Sequence, residues 1–258
     1  MPAMPRFSTA WRRMVHVALA ALFAFAAPTY AGAPFLTDDP GTADGGHTEI
    51  LFSGQVTHRQ GDTSGNVASA QVSYGLRDNA ELHVTLPYAF DHVSGAGTNF
   101  GVGDIELGLK YRFLDEDENG TPALAFAPAL NFPSGNAERG LGTSRLHGAL
   151  PLWTSKTIER WMIFGGGGYA FNPGPDNANY WFTGLGVTRE ITSALTLGGE
   201  IFHNSTVTAG GKNNTGFNIG AIHEISERHH LLFSVGRNLR NVSANNQLSG
   251  YFAWQVGF

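Results

Sequence analysis

From His47 to Phe258 apolar and polar residues alternate with a period of two, over segments of about ten residues separated by clusters of Gly, Asn, Asp and Ser. Successive side chains of a β-strand point to opposite faces, so each segment has one apolar and one polar side. In Glu81-Leu82-His83-Val84-Thr85-Leu86-Pro87-Tyr88 the apolar residues hold every even position, and Glu81, His83 and Thr85 share the other face. Ile105, Leu107, Leu109, Tyr111 and Phe113 stand in the same way against Asp104, Glu106, Lys110 and Arg112. The pattern returns in Leu195, Leu197 and Ile201 against Thr196 and Glu200, and in Leu248, Phe252, Trp254, Val256 and Phe258 against Gln247, Ser249 and Gln255. An apolar outside and a charged inside predict an all-β chain folded as a single transmembrane antiparallel β-barrel, the form found in bacterial outer membranes. A secreted soluble sandwich, which hides its apolar faces, is the alternative.

Twelve segments are expected, near 47–57, 67–76, 80–90, 101–113, 121–132, 143–154, 160–171, 180–189, 194–203, 215–225, 229–237 and 247–258. An even number returns both termini to one side. Connections 58–66, 91–100, 133–142, 172–179, 204–214 and 238–246 form a long series, expected outside the cell. Residues 77–79, 114–120, 155–159, 190–193 and 226–228 form the short, periplasmic series. Aromatic residues near segment ends, such as Tyr88, Trp161, Trp181 and Trp254, suit the two membrane interfaces.

Arg6, Arg12 and Arg13 precede an apolar run from Met14 to Ala27, and Thr29-Tyr30-Ala31 offers small residues to a signal peptidase. Residues 1–31 therefore read as a cleavable export signal, with Ala33 a second cleavage position. The run is shorter than the roughly 20 apolar residues of a spanning helix. Without residues 1–31 the chain keeps 13 basic against 21 acidic residues, a balance of −8. That charge argues against a nucleic-acid partner, and the absence of Cys excludes disulfides and thiolate metal sites.

Residues 32–46 are too rich in Pro and Gly to pair as a strand. They form an N-terminal extension, either a plug inside the lumen or a periplasmic tail. The barrel itself spans 47–258.

The charges on the inner face are Glu49, Glu81, Asp104, Glu106, Lys110, Arg112, Arg145, Glu200 and Glu224, joined by His83 and His147. Such a set either lines a water-filled path and biases which solutes pass, or pairs across the lumen and closes it. In the first case Glu81, His83, Asp104, Glu106, Lys110, Arg112, Arg145 and Glu200 set selectivity.

Four weaker motifs are also present. Asp115-Glu116-Asp117-Glu118-Asn119-Gly120 matches the first half of a calcium loop, but Phe126 stands where its closing Glu belongs, so a solvated turn is expected. Gly165 to Gly168 lacks the Lys and helix of a phosphate loop and reads as close backbone packing. His229-His230 lacks further ligands at metal spacing, and no metal or cofactor is expected. His203-Asn204-Ser205 places a base and a hydroxyl two residues apart on the lipid side, similar to some outer-membrane lipid hydrolases.

Two resemblances complete the reading. Outer-membrane barrels of Gram-negative bacteria end on an alternating strand with a terminal Phe that addresses them to the barrel-assembly machinery, and Trp254, Val256 and Phe258 resemble that signal. The stretch Pro34-Phe35-Leu36-Thr37-Asp38-Asp39-Pro40-Gly41-Thr42, ahead of a Glu-bearing first strand, resembles the outer-membrane transporter family labelled "MetA-pathway of phenol degradation". The resemblance implies a barrel that admits small aromatic or other hydrophobic compounds, and draws attention to Thr37, Asp38 and Asp39. The expected protein is a monomeric barrel in outer-membrane lipid, passing a small solute without catalysis. A closed structural or adhesive barrel and a lipid hydrolase are the alternatives.

Overall fold

The computed structural model describes residues 34–258, so the export signal expected over 1–31 lies outside the described residues. These residues form a closed ring of twelve antiparallel strands. They are β1 (Thr48–Arg59), β2 (Asp62–Arg77), β3 (Ala80–Val93), β4, β5, β6 (His147–Ile158), β7 (Trp161–Phe171), β8 (Tyr180–Thr192), β9 (Leu195–Asn204), β10 (Asn214–Ser226), β11 (His229–Arg240) and β12 (Leu248–Gly257). Strand β4 runs in two pieces, Gly97–Val102 and Ile105–Leu114, both paired with β3. Strand β5 is likewise split, into Ala123–Phe126 and Ala129–Phe132, around Pro128, which has no N–H to give a ladder. Each strand pairs with its sequence neighbour, and β12 closes onto β1 from Glu49↔Gly257 to His58↔Leu248. No helix is long and apolar enough to cross a membrane among the described residues. A closed ring is the other backbone arrangement that leaves no N–H or C=O unpaired in lipid.

The face assignments follow the alternation. Leu82, Val84, Leu86 and Tyr88 of β3 and Leu107, Leu109, Tyr111 and Phe113 of β4 are exposed on the outside, while Glu81 and Lys110 are buried within. Mid-strand Leu185 and Ile219 are 64% and 57% exposed, part of a continuous apolar outer surface. Aromatic pairs tie neighbouring strands on this face: Tyr169 and Trp181 stand 4.9 Å apart, and Phe233 and Phe252 5.3 Å. In the run Gly165 to Gly168, a Cβ on Gly167 would overlap the Phe182 carbonyl, so β7 approaches β8 more closely than a side chain would allow.

Some boundaries differ from expectation. Residues 58–66 and 91–100 are not loops: β1 and β2 continue to a turn at 60–61, and β3 and β4 to a turn at 94–96. These hairpin tips are held by polar cross-strand contacts. Arg59 pairs with Asp62 at 3.1 Å, His58 bonds Thr63 at 2.8 Å and His92 bonds Thr98 at 2.8 Å. Both faces are polar here, so the alternation that marks the lipid-facing part fades. The connection expected at 133–142 is longer, and β6 starts at His147 rather than at 143. The last outer connection carries a one-turn helix, α1 (Val242–Asn245).

A positive charge at the centre of the lipid face tests this architecture. Leu185→Arg is expected to lower the unfolding free energy of the barrel in vesicles by about 2–4 kcal/mol, and Val93→Arg at a hairpin tip by about 0–1 kcal/mol. Equilibrium denaturation in liposomes measures both.

Candidate functional site

Residues 34–46 run inside the barrel. The segment enters at the end with the short turns, where the Gly46 N–H donates to the Gly75 carbonyl and the Gly45 N–H to Asp78 Oδ1. Inward from there, the Ala43 N–H donates to Glu81 Oε2 at 2.8 Å. Lys110 Nζ pairs with the Asp38 carboxylate at 2.7 Å and donates to the Asp39 carbonyl at 3.1 Å. At its far end the Leu36 and Thr37 N–H groups donate to the two oxygens of Glu200, each at 2.8 Å. Glu81 lies on β3, Lys110 on β4 and Glu200 on β9, so the supports stand on opposite sides of a twelve-strand ring. The segment therefore crosses the lumen. Phe35 stacks on Phe164 of β7 at 5.9 Å, and a Cβ on Gly184 of β8 would overlap Thr37 Oγ1.

Four of the inner charges, Glu81, Lys110, Arg112 and Glu200, meet this segment rather than open water. Glu81, Lys110 and Glu200 are 2%, 4% and 4% exposed. Glu200 also accepts from Asn218 Nδ2, and Arg112 donates to Thr42 Oγ1, to the Asp78 carbonyl and to Asp115. His83 stands between two carboxylates, 3.6 Å from Glu81 and 3.6 Å from Glu106, and Asn131 Nδ2 donates to Glu106. A carboxylate that accepts two main-chain N–H groups fixes a segment that has no ladder of its own.

Asp104 does something else. It sits at the break in β4 and accepts from the N–H groups of Gly135 and Thr143 and from Thr143 Oγ1, with His147 3.9 Å away. Ser134 Oγ takes the Ile105 N–H and donates to the Gly103 carbonyl. The connection 133–146 is thereby folded inward, with Leu141 buried against Gly101. Asp104 thus anchors a loop over the mouth on the β3–β4 side. Arg145, expected in the lumen, is exposed in that same loop before β6. The alternation carried a sign of this: outward residues stand at even positions up to Val102 and at odd ones from Leu107, a one-residue slip that marks a bulge.

The remaining motifs are placed as follows. Asp117 Oδ1 accepts from the N–H groups of Thr121 and Asn119, which hold its carboxyl below the usual range, and Lys156 pairs with Glu116 at 3.3 Å. The acidic turn is bonded to itself and to β6. His203 bonds Thr215 at 2.7 Å, and Ser205 Oγ accepts the Trp181 N–H at 3.0 Å, so each is tied to a neighbouring strand rather than to the other. His229 stacks on Trp254 at 5.7 Å and accepts its indole N–H. Trp254 and Phe258 are exposed on the outer face, whereas Val256, paired with Ile50 and His229, is buried. No group of His, Cys, Asp and Glu suited to a metal occurs among the described residues.

The family model described as "Putative MetA-pathway of phenol degradation" matches residues 33–255. The chain belongs to this family. Among solved structures, this family member is similar to an outer membrane channel from Pseudomonas putida F1, with 19% identity and a TM-score of 0.70 over 85% of this chain and 98% of that one. It is also similar to the KdgM porin, at 11% identity and TM-score 0.56 over 81% and 99%, and to the NanC porin, at 10% and 0.56 over 81% and 98%. No curated protein matches. These likenesses establish the barrel fold of the family member.

Because the chain has no Cys, a single Thr37→Cys reports on the inner segment. With Glu200 intact it is expected to react slowly with a membrane-impermeant maleimide. Glu200→Ala leaves two N–H groups without an acceptor, at about 1–3 kcal/mol each, and should raise the labelling rate at least tenfold. Unchanged labelling would mean that Glu200 does not hold the segment.

Proposed function

We propose that the protein is a monomeric channel of the bacterial outer membrane for passive uptake of small aromatic or other hydrophobic compounds, with residues 34–46 as its internal plug. The observation that carries this reading is a closed wall with a polar interior crossed by one segment. That segment hangs on side chains of the wall and makes no strand ladder across the lumen. Side-chain anchors can be released one at a time, as a gate requires. The small aromatic class is supported by the family description and by Phe35 at the far end of the described segment. Export by a cleavable signal and delivery by the assembly machinery complete the proposal, and no chemistry is assigned to the chain.

A second reading, a closed structural barrel, is favoured by one fact: Lys110, Glu81 and Glu200 are all satisfied by the segment that crosses the lumen. Conductance in planar bilayers separates the two. Deleting residues 34–46 from the folded protein is expected to raise single-channel conductance severalfold, and Glu81→Gln with Glu106→Gln to reduce cation preference in the reversal potential. Equal conductance with and without the segment would remove its role as a plug. Silence from both folded forms would leave the structural barrel.

A further inference from the structure

Resting on the channel reading, we infer that the outer half of the lumen holds a binding site for an uncharged, hydroxyl-bearing ring compound. A cavity of about 230 Å³ lies above the inner segment, between β1 and β9–β12, on the side of the mouth that loop 133–146 leaves free. Pro34, Phe35 and Leu36 line it from below. Its upper rim is Asn214, Asn245 and Asn246, where α1 is held across the mouth by the Gln60 N–H on the Ser243 carbonyl and by Asn245 Nδ2 on the Asn213 carbonyl.

The lining differs in kind from the rest of the lumen. None of the side chains around the cavity is charged. Glu200, just beneath, has its oxygens taken by the Leu36 and Thr37 N–H groups and by Asn218, so the amide of Asn218 and not the carboxylate faces the space. An ion entering here would leave water for a site without a counter-charge, whereas a neutral solute would not meet that barrier. Phe35, Phe202 and Tyr251 offer flat apolar faces to a ring.

Two polar atoms in the wall have no partner. Asn246 is 7% exposed; its Nδ2 donates to Ser249 Oγ at 2.9 Å, and its Oδ1 has no hydrogen bond. Asn214 Oδ1 is likewise buried and unpartnered. As the Asn246 amide is placed, Ser249 engages its Nδ2, and the carbonyl oxygen is the atom left without a partner. Buried polar groups are nearly always satisfied, so two unsatisfied acceptors on one cavity point to an occupant that donates hydrogen bonds. The volume lies below the roughly 300–1,000 Å³ of pockets for drug-sized molecules, which limits the occupant to about a single ring.

Isothermal titration of the full folded protein in micelles, against a matched micelle blank, tests the site with catechol, galactose and benzoate. Saturable binding of catechol or galactose is expected, which of them binds distinguishing an aromatic from a sugar ring, with benzoate at least tenfold weaker. Asn246→Leu should weaken the binding at least tenfold; if that variant fails to fold, as judged by heat-modifiable mobility, Phe35→Ala takes its place. The inference is overturned if benzoate binds as well as the neutral rings, if neither neutral ring binds saturably, or if the folded variant binds like the parent. Binding without conductance in the plug-deleted protein would uphold the site and sink the channel, while conductance without binding would do the reverse.

Discussion

Everything in this molecule depends on the lateral hydrogen bond between β1 and β12. In hydrocarbon an unpaired N–H or C=O has no water to turn to, so a sheet that crosses the membrane must leave no edge. Pairing from Glu49↔Gly257 to His58↔Leu248 removes the edge and turns a meander of hairpins into a wall. Once the wall is closed its inner face becomes a confined, polar space, and every charge directed there needs a partner within reach.

The partners are supplied by the chain's own N-terminal part. Glu81 and Glu200 accept main-chain N–H groups, and Lys110 takes the Asp38 carboxylate and the Asp39 carbonyl. The division of labour along the axis is then clear. The half near the short turns is filled by this charged, bonded crossing. The outer half is divided between the loop pinned by Asp104 and a cavity lined by amides, hydroxyls and rings.

The wall was legible because period-two alternation reports directly on which face meets lipid, and the twelve expected segments are the twelve strands. The hairpin tips beyond Thr57 and Phe90 were not, because strands that leave the membrane are polar on both faces and lose the signal. Parity also gave the inward direction of Glu81, Lys110 and Glu200, but not what they touch. Their partners are main-chain groups and the Asp38 carboxylate, 38 to 164 residues away in a stretch whose Pro and Gly say only that it is not a strand. Asp104 had the same parity and a different task, visible only as a one-residue slip between Val102 and Leu107 that simple alternation passes over.

The crossing segment is also tied across very different lengths of chain. Its contacts with β3 and β4 join residues 38 and 71 apart, whereas those with Glu200 span 163 and 164. Short loops close at lower entropic cost than long ones, so holding the segment to β3 and β4 costs less chain entropy than holding it to β9. The thread inside the cylinder is thus tied most cheaply to the strands nearer it in sequence, and the tie at its far end spans the greater part of the chain.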